Sequence, residues 1–313
     1  MKDLYTKVVI PVSDKKIGYN DKILLIGSCF ADNIGRKFEE RYFQTTVNPM
    51  GTLYNPASIA DAMMLACSAS SVAPFQIVEW NGMWHSMMHH GSFSHVNKTE
   101  LISRCEKSID VLSNSLKTAN VIIVTFGTAW VYEYKGKVVA NCHKIPAKEF
   151  VRRRLTMEEI VQTWQPIIEK MSDKHWIFTV SPIRHIKDGL HENQISKALL
   201  LQAVDGLRSR LSSHVPSIDY FPSYEIMLDE LRDYRFYAED MVHPSEVAVN
   251  YIWQRFVETY MHSDVCNEMR VLHQLWRDRN HRFLHPDSQE AQAFVSHLQD
   301  KIRQLRKNYP WLE

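Results

Sequence analysis

The chain has 313 residues, of which 45% are hydrophobic and 23% charged, and this composition is typical of one sizeable globular domain with an appendage. The 37 Lys and Arg residues balance 36 Asp and Glu residues, and a formal charge of +1 argues against nucleic-acid or anionic-membrane binding as the main activity. With 10 Gly and 12 Pro, the sequence is neither collagen-like nor disordered.

Several features bear on the cellular compartment. Apolar runs such as residues 23–26 and 121–124 are far shorter than the roughly 18 residues of a membrane-spanning helix. Residues 1–7 carry charges where a signal peptide requires an apolar segment. The five cysteines are widely spaced and form no C-x-x-C pair, which is typical of reduced thiols. We therefore expect a cytoplasmic protein that does not bind membranes.

Along the chain, strand-like apolar runs alternate with helical patterns. Strands are predicted at residues 22–27, 120–126, 175–180 and 217–221. Helices are predicted at residues 30–43, 56–67, 99–117, 157–172, 191–212, 223–232 and from Pro244 to about 261. Gly136 indicates a tight hairpin turn, and Pro166 is expected to kink or split its helix.

This alternation predicts an α/β fold in three layers, with a mainly parallel sheet between helices, over residues 1–262. Residues 75–98, approximately, are expected to form an insertion. Beyond residue 262, helical spacing at 263–280 and 287–308 continues without an intervening strand. The sequence therefore predicts a helical extension over residues 263–313.

The first chemical motif is Gly-Ser-Cys-Phe-Ala at residues 27–31, between the first strand and the first helix. Ligands of open parallel sheets bind beyond the carboxyl ends of the strands, and a helix N-terminus stabilises an oxyanion. Ser28 is therefore a candidate nucleophile. The alternative is that Ser28 only caps the helix, as serines often do. We interpret the neighbouring Cys29 as a small buried hydrophobic residue.

The second motif is Asp-Met-Val-His at residues 240–243, directly before the last helix of the α/β region. A hydroxyl nucleophile requires a base, and that base requires an acceptor that fixes its tautomer. Asp240 and His243 can supply both functions from one loop. The alternative is a surface aspartate beside a histidine that caps a helix.

Together, these motifs resemble the GSCFA family, which is named for the residues at 27–31 and belongs to the wider SGNH or GDSL-like hydrolase group. The resemblance covers roughly residues 22–260 and implies the SGNH-hydrolase-like three-layer fold. It also implies a serine esterase or related acyl hydrolase, with Ser28 as nucleophile, His243 as base and Asp240 as its acid. The implied substrate is a small-molecule or carbohydrate ester, such as an O-acetyl group, with no metal or organic cofactor.

The same resemblance implies an oxyanion hole, formed in part by the N–H groups of Ser28 and Gly51. The Asn whose side chain completes this hole in the wider group is absent here, and losing one donor typically lowers the rate by two to three orders of magnitude. Thr128, Asn48 and Asn141 are the candidate replacements.

Other residues are candidate substrate contacts because they follow a predicted strand or the hairpin, or lie in the insertion at the mouth of the site. The full set is Asn48, Trp130, Asn141, His143, His85 and Arg184. For His143 the alternative is a hydrogen bond within its loop. For Arg184 the choice lies between binding an anionic substrate group and a salt bridge within the protein.

Residues 84–95 contain four histidines. His85 and His89 are four residues apart, as two zinc ligands on a helix are, but Gly82 and Gly91 argue against a long helix. We favour a polar insertion at the mouth of the site. The alternatives to a serine esterase are an SGNH-type acyltransferase, a non-catalytic binding module on the same fold and, more weakly, a metal-dependent hydrolase that uses His85, His89 and His90.

Overall fold

The computed structural model describes residues 5–68 and 76–312. Within these ranges the strands are β1 Lys22–Gly27, β2 Gln44–Val47, β3 Ile77–Trp80, β4 Met83–Ser86, β5 Val121–Phe126, β6 Trp130–Tyr134, β7 Lys137–Val139, β8 Phe150–Arg154, β9 His175–Val180 and β10 Ile218–Phe221. The helices are α1 Cys29–Glu39, α2 Pro56–Cys67, α3 Lys98–Thr118, α4 Met157–Lys170, α5 Leu190–Leu211, α6 Ser223–Glu225, α7 Glu246–Tyr260, α8 Ser263–Arg279 and α9 Gln289–Leu305. A π-helical turn, Ile226–Glu230, continues α6.

A five-stranded parallel sheet in the order β10-β9-β5-β1-β2 forms the centre of the fold. Alternate residues of β1 pack on opposite faces, because successive side chains of a strand point in opposite directions. Leu24 lies in a core with α2, α3, α4 and α5, whereas Leu25 lies in a core with α1 and α7. Helices thus cover both faces, which confirms the predicted three-layer α/β fold.

The two prolines that the sequence analysis singled out have different outcomes. Pro166 does not split α4, which continues from Met157 to Lys170 and buries apolar side chains on both sides of the proline, and a kink there stays a prediction. The position predicted for Pro244 was wrong. Pro244 is not in the first turn of α7, because Ser245 is the N-cap and accepts the Ala248 N–H. Pro244 instead pairs with Tyr237 in a short antiparallel bridge.

Smaller elements surround the carboxyl edge of the main sheet. Strands β7-β6-β8 form an antiparallel sheet, and Lys135 and Gly136 make the predicted hairpin turn with φ angles of 51° and 75°. The predicted insertion at 75–98 contains the β3–β4 hairpin, while residue 75 lies outside the described residues.

The C-terminal helices pack on the core that contains α1 and α7. Leu272 and Leu275 of α8 are fully buried there, and the Trp311 indole N–H donates to the Tyr42 carbonyl at 2.9 Å. The predicted helical character of residues 263–313 is therefore confirmed for the part that the structure describes. Among the described helices, none combines the length and the apolar character needed to cross a membrane.

Candidate active site

The turn between β1 and α1 depends on Gly27. Its φ is 141°, and a Cβ there would lie 2.2 Å from the Thr125 carbonyl oxygen of β5. Its N–H donates to the Asn48 side-chain oxygen at 2.8 Å. Only glycine allows this close approach of the two strands, and the turn delivers residues 28 and 29 to the carboxyl edge of the sheet.

Ser28 is the N-cap of α1, which is the alternative that the sequence left open. Its hydroxyl accepts the Phe30 N–H at 3.3 Å, and its own N–H donates to the Thr125 carbonyl at 3.1 Å. The residue is only 1% exposed and is absent from the lining of the cleft at this edge. The structure does not bring the Ser28 hydroxyl to His243, because the capping geometry turns it toward its own helix.

Cys29, the first residue of α1, occupies the position that the sequence assigned to Ser28. Its Sγ lies 3.7 Å from the His243 Nε2 atom, and the residue lines the cleft. Burial and the nearby Asp32 carboxylate raise the pKa of the thiol to about 11, although the N–H groups of Cys29 and Phe30 act in the opposite direction. At neutral pH Cys29 is therefore a thiol that needs a base. Cys29 is partly buried and packs against the core that contains α1 and α7, as the sequence analysis expects, and its thiol also faces His243.

Asp240 and His243 form the predicted pair within one loop. One carboxylate oxygen of Asp240 accepts the N–H groups of Val242 and His243 at 2.9 Å each, and the other lies 2.6 Å from the His243 Nδ1 atom. These backbone bonds, followed by the bond to the ring, lower the pKa of Asp240 to about 2. The ionised carboxylate favours the Nδ1–H tautomer, which leaves the Nε2 lone pair toward the Cys29 thiol.

An open cleft of about 680 Å³ contains this arrangement. Its walls come from the loops that follow β1, β2, β5, β7 and β9, from strands β6, β7 and β8, and from the Asp240–His243 loop. Its lining includes Cys29, Thr128, Trp130, Asn141, Cys142, Arg152, Arg184, His185, Lys187, Asp188, Asp240 and His243. Of the candidate substrate contacts, Trp130, Asn141 and Arg184 therefore face the cleft.

Gly51 and Asn48 have structural roles instead. The Gly51 N–H donates to the Asn48 carbonyl at 2.7 Å, so it is not available to an oxyanion, and a Cβ at Gly51 would lie 2.3 Å from the His90 Cβ. The Asn48 amide bridges the Gly27 N–H and the Asp32 carboxylate. Neither residue lines the cleft, and both hold the loop beside α1 in place.

His85 and His143 also lie outside the cleft lining. Their rings stack at 4.7 Å, with His85 bonded to the Ser94 hydroxyl at 2.6 Å and His143 to the Ser86 carbonyl at 2.8 Å. Nearby, the buried His89 lies between the hydroxyls of Ser86 and Ser108. These bonds make the histidines part of a packed hairpin and not of the mouth of the site.

Burial lowers the pKa of His89 to about 3 and that of His143 to about 4, so both imidazoles are neutral. Within residues 5–68 and 76–312, no group of three or more His, Cys, Asp or Glu side chains lies close enough to hold a metal ion. The alternative of a metal centre on His85, His89 and His90 therefore finds no support in the described residues.

Thr128 lies at the cleft with its hydroxyl 3.1 Å from that of Ser196. Each of these hydroxyls already accepts one backbone N–H, that of Trp130 at Thr128 and that of Ala129 at Ser196. The hydroxyl pair carries two hydrogens, and the bond between the two oxygens uses only one. When Ser196 donates to Thr128, the Thr128 hydrogen is free to bond to a group in the cleft.

Lys197 is a residue that the sequence analysis missed. It is 1% exposed beneath the cleft, and its Nζ donates to the carbonyls of Gly127 and Ser181 at 2.7 Å each. It thereby joins the ends of β5 and β9, and burial lowers its pKa to about 7. Its place on one face of α5 with the buried Asn193 and Leu200 was the available signal, because an exposed lysine would lie on the opposite face.

His185 follows the same strand edge and lines the cleft. Burial lowers its pKa to about 4, and the Lys197 charge acts in the same direction. A backbone hydrogen bond at Gly127 opposes this effect without cancelling it. His185 is therefore a neutral imidazole, and His243 is the histidine in contact with the thiol.

Comparison with known proteins supports the sequence resemblance. The GSCFA family model matches residues 22–256, which contain the whole cleft, and a second model, described as a GSCFA domain protein C-terminal domain, matches residues 272–313. No curated protein matches the chain. Since the first match covers well over half of the sequence, the chain belongs to the GSCFA family.

Proposed function

We propose that this protein is an acyl hydrolase or acyltransferase that uses Cys29 as its nucleophile. The observation that carries the proposal is the series Cys29–His243–Asp240, with the thiol 3.7 Å from Nε2 and the carboxylate 2.6 Å from Nδ1, in one open cleft. Acyl transfer requires a nucleophile in contact with a base, and an acid that orients this base from its other side.

The reaction follows from these positions. His243 Nε2 takes the thiol proton as Cys29 Sγ bonds to the carbonyl carbon, and the carbonyl π electrons move to the oxygen. When the oxyanion collapses, the bond to the leaving alcohol or thiol breaks, and His243 returns the proton to that group. The product is a thioester on Cys29. Water or another acceptor then attacks the thioester with His243 as base, which releases the acyl group and regenerates the thiol.

The oxyanion has two donors in this proposal. The Cys29 N–H is in the first turn of α1, where backbone N–H groups have no helical partner and the helix dipole favours negative charge. The Thr128 hydroxyl, with one hydrogen available, is the second donor and replaces the missing Asn. The Ser28 N–H already donates to the Thr125 carbonyl and takes no part.

We also propose that the protein belongs to the SGNH-like group. It is supported by the parallel sheet, by the β1–α1 turn at the carboxyl edge and by the Asp240–His243 loop, while the nucleophile differs from the serine that the grouping implies. We infer an ester or thioester substrate. Hydrolysis and transfer differ only in the acceptor that enters the open cleft, and the proposal includes both reactions.

The experiment is acylation by p-nitrophenyl acetate, followed by intact-protein and peptide mass spectrometry. We expect one acetyl group on Cys29 of the wild-type protein. The Cys29→Ala variant should not be acetylated at a comparable rate on any residue. Ser28→Ala should still be acylated, because its hydroxyl only caps α1. Cys142→Ala is the matched control, since Cys142 is a second thiol in the same cleft, outside the triad.

Acylation of Ser28, or labelling that persists in Cys29→Ala at the rate of the unmodified protein, would contradict the thiol mechanism. If Cys29 stays unmodified by a panel of short esters and thioesters, the non-catalytic binding module becomes the better description. A fluorophosphonate probe gives an independent reading, because it modifies an activated serine.

A further inference from the structure

We infer that the substrate carries an anionic group, a carboxylate or a phosphate, which binds Arg184 at the wall of the cleft. This inference rests on the proposed function for the reaction and adds the substrate class. It is based on the charges that line the cleft and on the way in which Arg184 is held.

The charged side chains of the cleft divide into paired and unpaired groups. Arg152 pairs with Asp188, and Asp240 pairs with His243. Arg184 and Lys187 line the same cleft, and neither has a carboxylate oxygen within 4 Å among residues 5–68 and 76–312. In the part of the chain that the structure describes, the salt bridge that the sequence left as the alternative for Arg184 is therefore not formed. The two unpaired charges among the described lining residues are both positive.

The guanidinium of Arg184 is held by aromatic rings. Its central carbon lies 3.8 Å from the centre of the Tyr237 ring and 5.2 Å from that of Tyr234. Stacking on an aromatic face orients a guanidinium. One N–H group of Arg184 bonds to the Tyr237 hydroxyl, and the other N–H groups at the guanidinium edge match the oxygens of a carboxylate or phosphate. Arg184 is thus preorganised for an anion before any ligand binds.

The backbone links this arginine to the reacting groups. The Arg184 N–H donates to the Val242 carbonyl at 3.2 Å, so Arg184 is fixed against the loop that holds Asp240 and His243. Next to it, the Asn193 side chain accepts the His185 N–H at 3.0 Å. These two hydrogen bonds fix the segment, so an anion bound to Arg184 lies in the same cleft as Cys29 and His243.

The test compares two alkylating reagents that differ in charge, iodoacetate and iodoacetamide, at Cys29. The readout is the rate constant for iodoacetate divided by the rate constant for iodoacetamide at Cys29. This ratio is then divided by the same ratio for glutathione. We expect this normalised ratio to fall at least about fivefold in Arg184→Gln and to be partly retained in Arg184→Lys, because a lysine keeps the charge but loses the planar fork.

Arg154→Gln is the matched control. Arg154 lies beside the ring of Trp130, which lines the cleft, but Arg154 pairs with Glu192 at 2.7 Å and does not line the cleft itself. The normalised ratio should be unchanged in this variant. Protection of Cys29 from iodoacetamide by succinate or by inorganic phosphate then identifies which anion the cleft prefers.

The two proposals fail separately in this design, because alkylation needs no turnover. The anion site is overturned if the normalised ratio is equal in the wild-type protein and in Arg184→Gln and neither anion protects Cys29. This holds even if neutral esters acylate Cys29. A ratio that depends on Arg184 supports the anion site even if no ester is hydrolysed.

Discussion

The buried Lys197 predicts an unusual dependence of stability on pH, which Lys197→Met should remove. Burial lowers its pKa from 10.5 to about 7. The difference of about 3.5 units corresponds to about 5 kcal/mol of penalty for keeping the ammonium inside the folded protein. This penalty is fully present below pH 7, where both the folded and the unfolded states are protonated.

The sign follows from proton binding. Between pH 7 and pH 10.5 the unfolded chain retains a proton that the folded protein has lost, so raising the pH stabilises the fold. The slope reaches about 1.4 kcal/mol per pH unit, which amounts to about 2 to 3 kcal/mol between pH 7 and pH 9. The neutral amine still has two N–H groups for the carbonyls of Gly127 and Ser181.

At pH 7 the variant should differ little from the unmodified protein. Removing the ammonium relieves the penalty but leaves two buried carbonyls unpaired, which costs about 1 to 3 kcal/mol each. At pH 9 about half of the penalty of the unmodified protein is gone, while the cost of the unpaired carbonyls in Lys197→Met remains. The unmodified protein should therefore gain about 2 to 3 kcal/mol relative to the variant between these two pH values.

The measurement is urea unfolding at pH 7, 8 and 9, at constant ionic strength and with a reducing agent. The thiols of Cys29 and Cys105, whose pKa burial raises to about 11, titrate in the opposite sense above pH 9, and restricting the range limits their effect. Lys170→Met, at an exposed lysine of α4, is the control. A difference between the unmodified protein and Lys197→Met that stays constant from pH 7 to pH 9 would refute the reasoning.

Three further predictions concern the site. Asp240→Asn should lower the rate of Cys29 acylation by about two to four orders of magnitude without unfolding the protein, because an amide cannot fix the tautomer of His243 or stabilise its charged form; an acylation rate within tenfold of the unmodified protein would contradict this role. Thr128→Val should lower kcat for ester hydrolysis about 10²-fold or more, while Thr128→Ser should retain most of it, and equal losses in both would argue against a donated hydrogen bond. Gly27→Ala should destabilise the fold by at least about 3 kcal/mol in urea unfolding, because its Cβ would meet the Thr125 carbonyl, whereas Gly82→Ala, with open space around it, should cost about 1 kcal/mol.

Local patterns in the sequence were sufficient for most of the fold. The apolar runs of β1, β5 and β9 are continuous because helices cover both faces of the sheet, and Gly136 marks its hairpin by a positive φ. Strand β2 was missed because its sequence, Gln-Thr-Thr-Val, is polar and half-buried at the edge of the sheet. These outcomes depend on residues close together in the chain.

The sequence also located both halves of the candidate site, since the β1–α1 turn and the Asp240–His243 loop are local motifs. Only the tertiary structure decided which residue of the turn faces His243. The two motifs are more than 200 residues apart, and capping turns the Ser28 hydroxyl toward α1 while the next residue, Cys29, faces the cleft. The unpaired Arg184 and the buried Lys197 depend in the same way on packing between distant elements, because neighbouring residues in the chain do not determine which charges find partners.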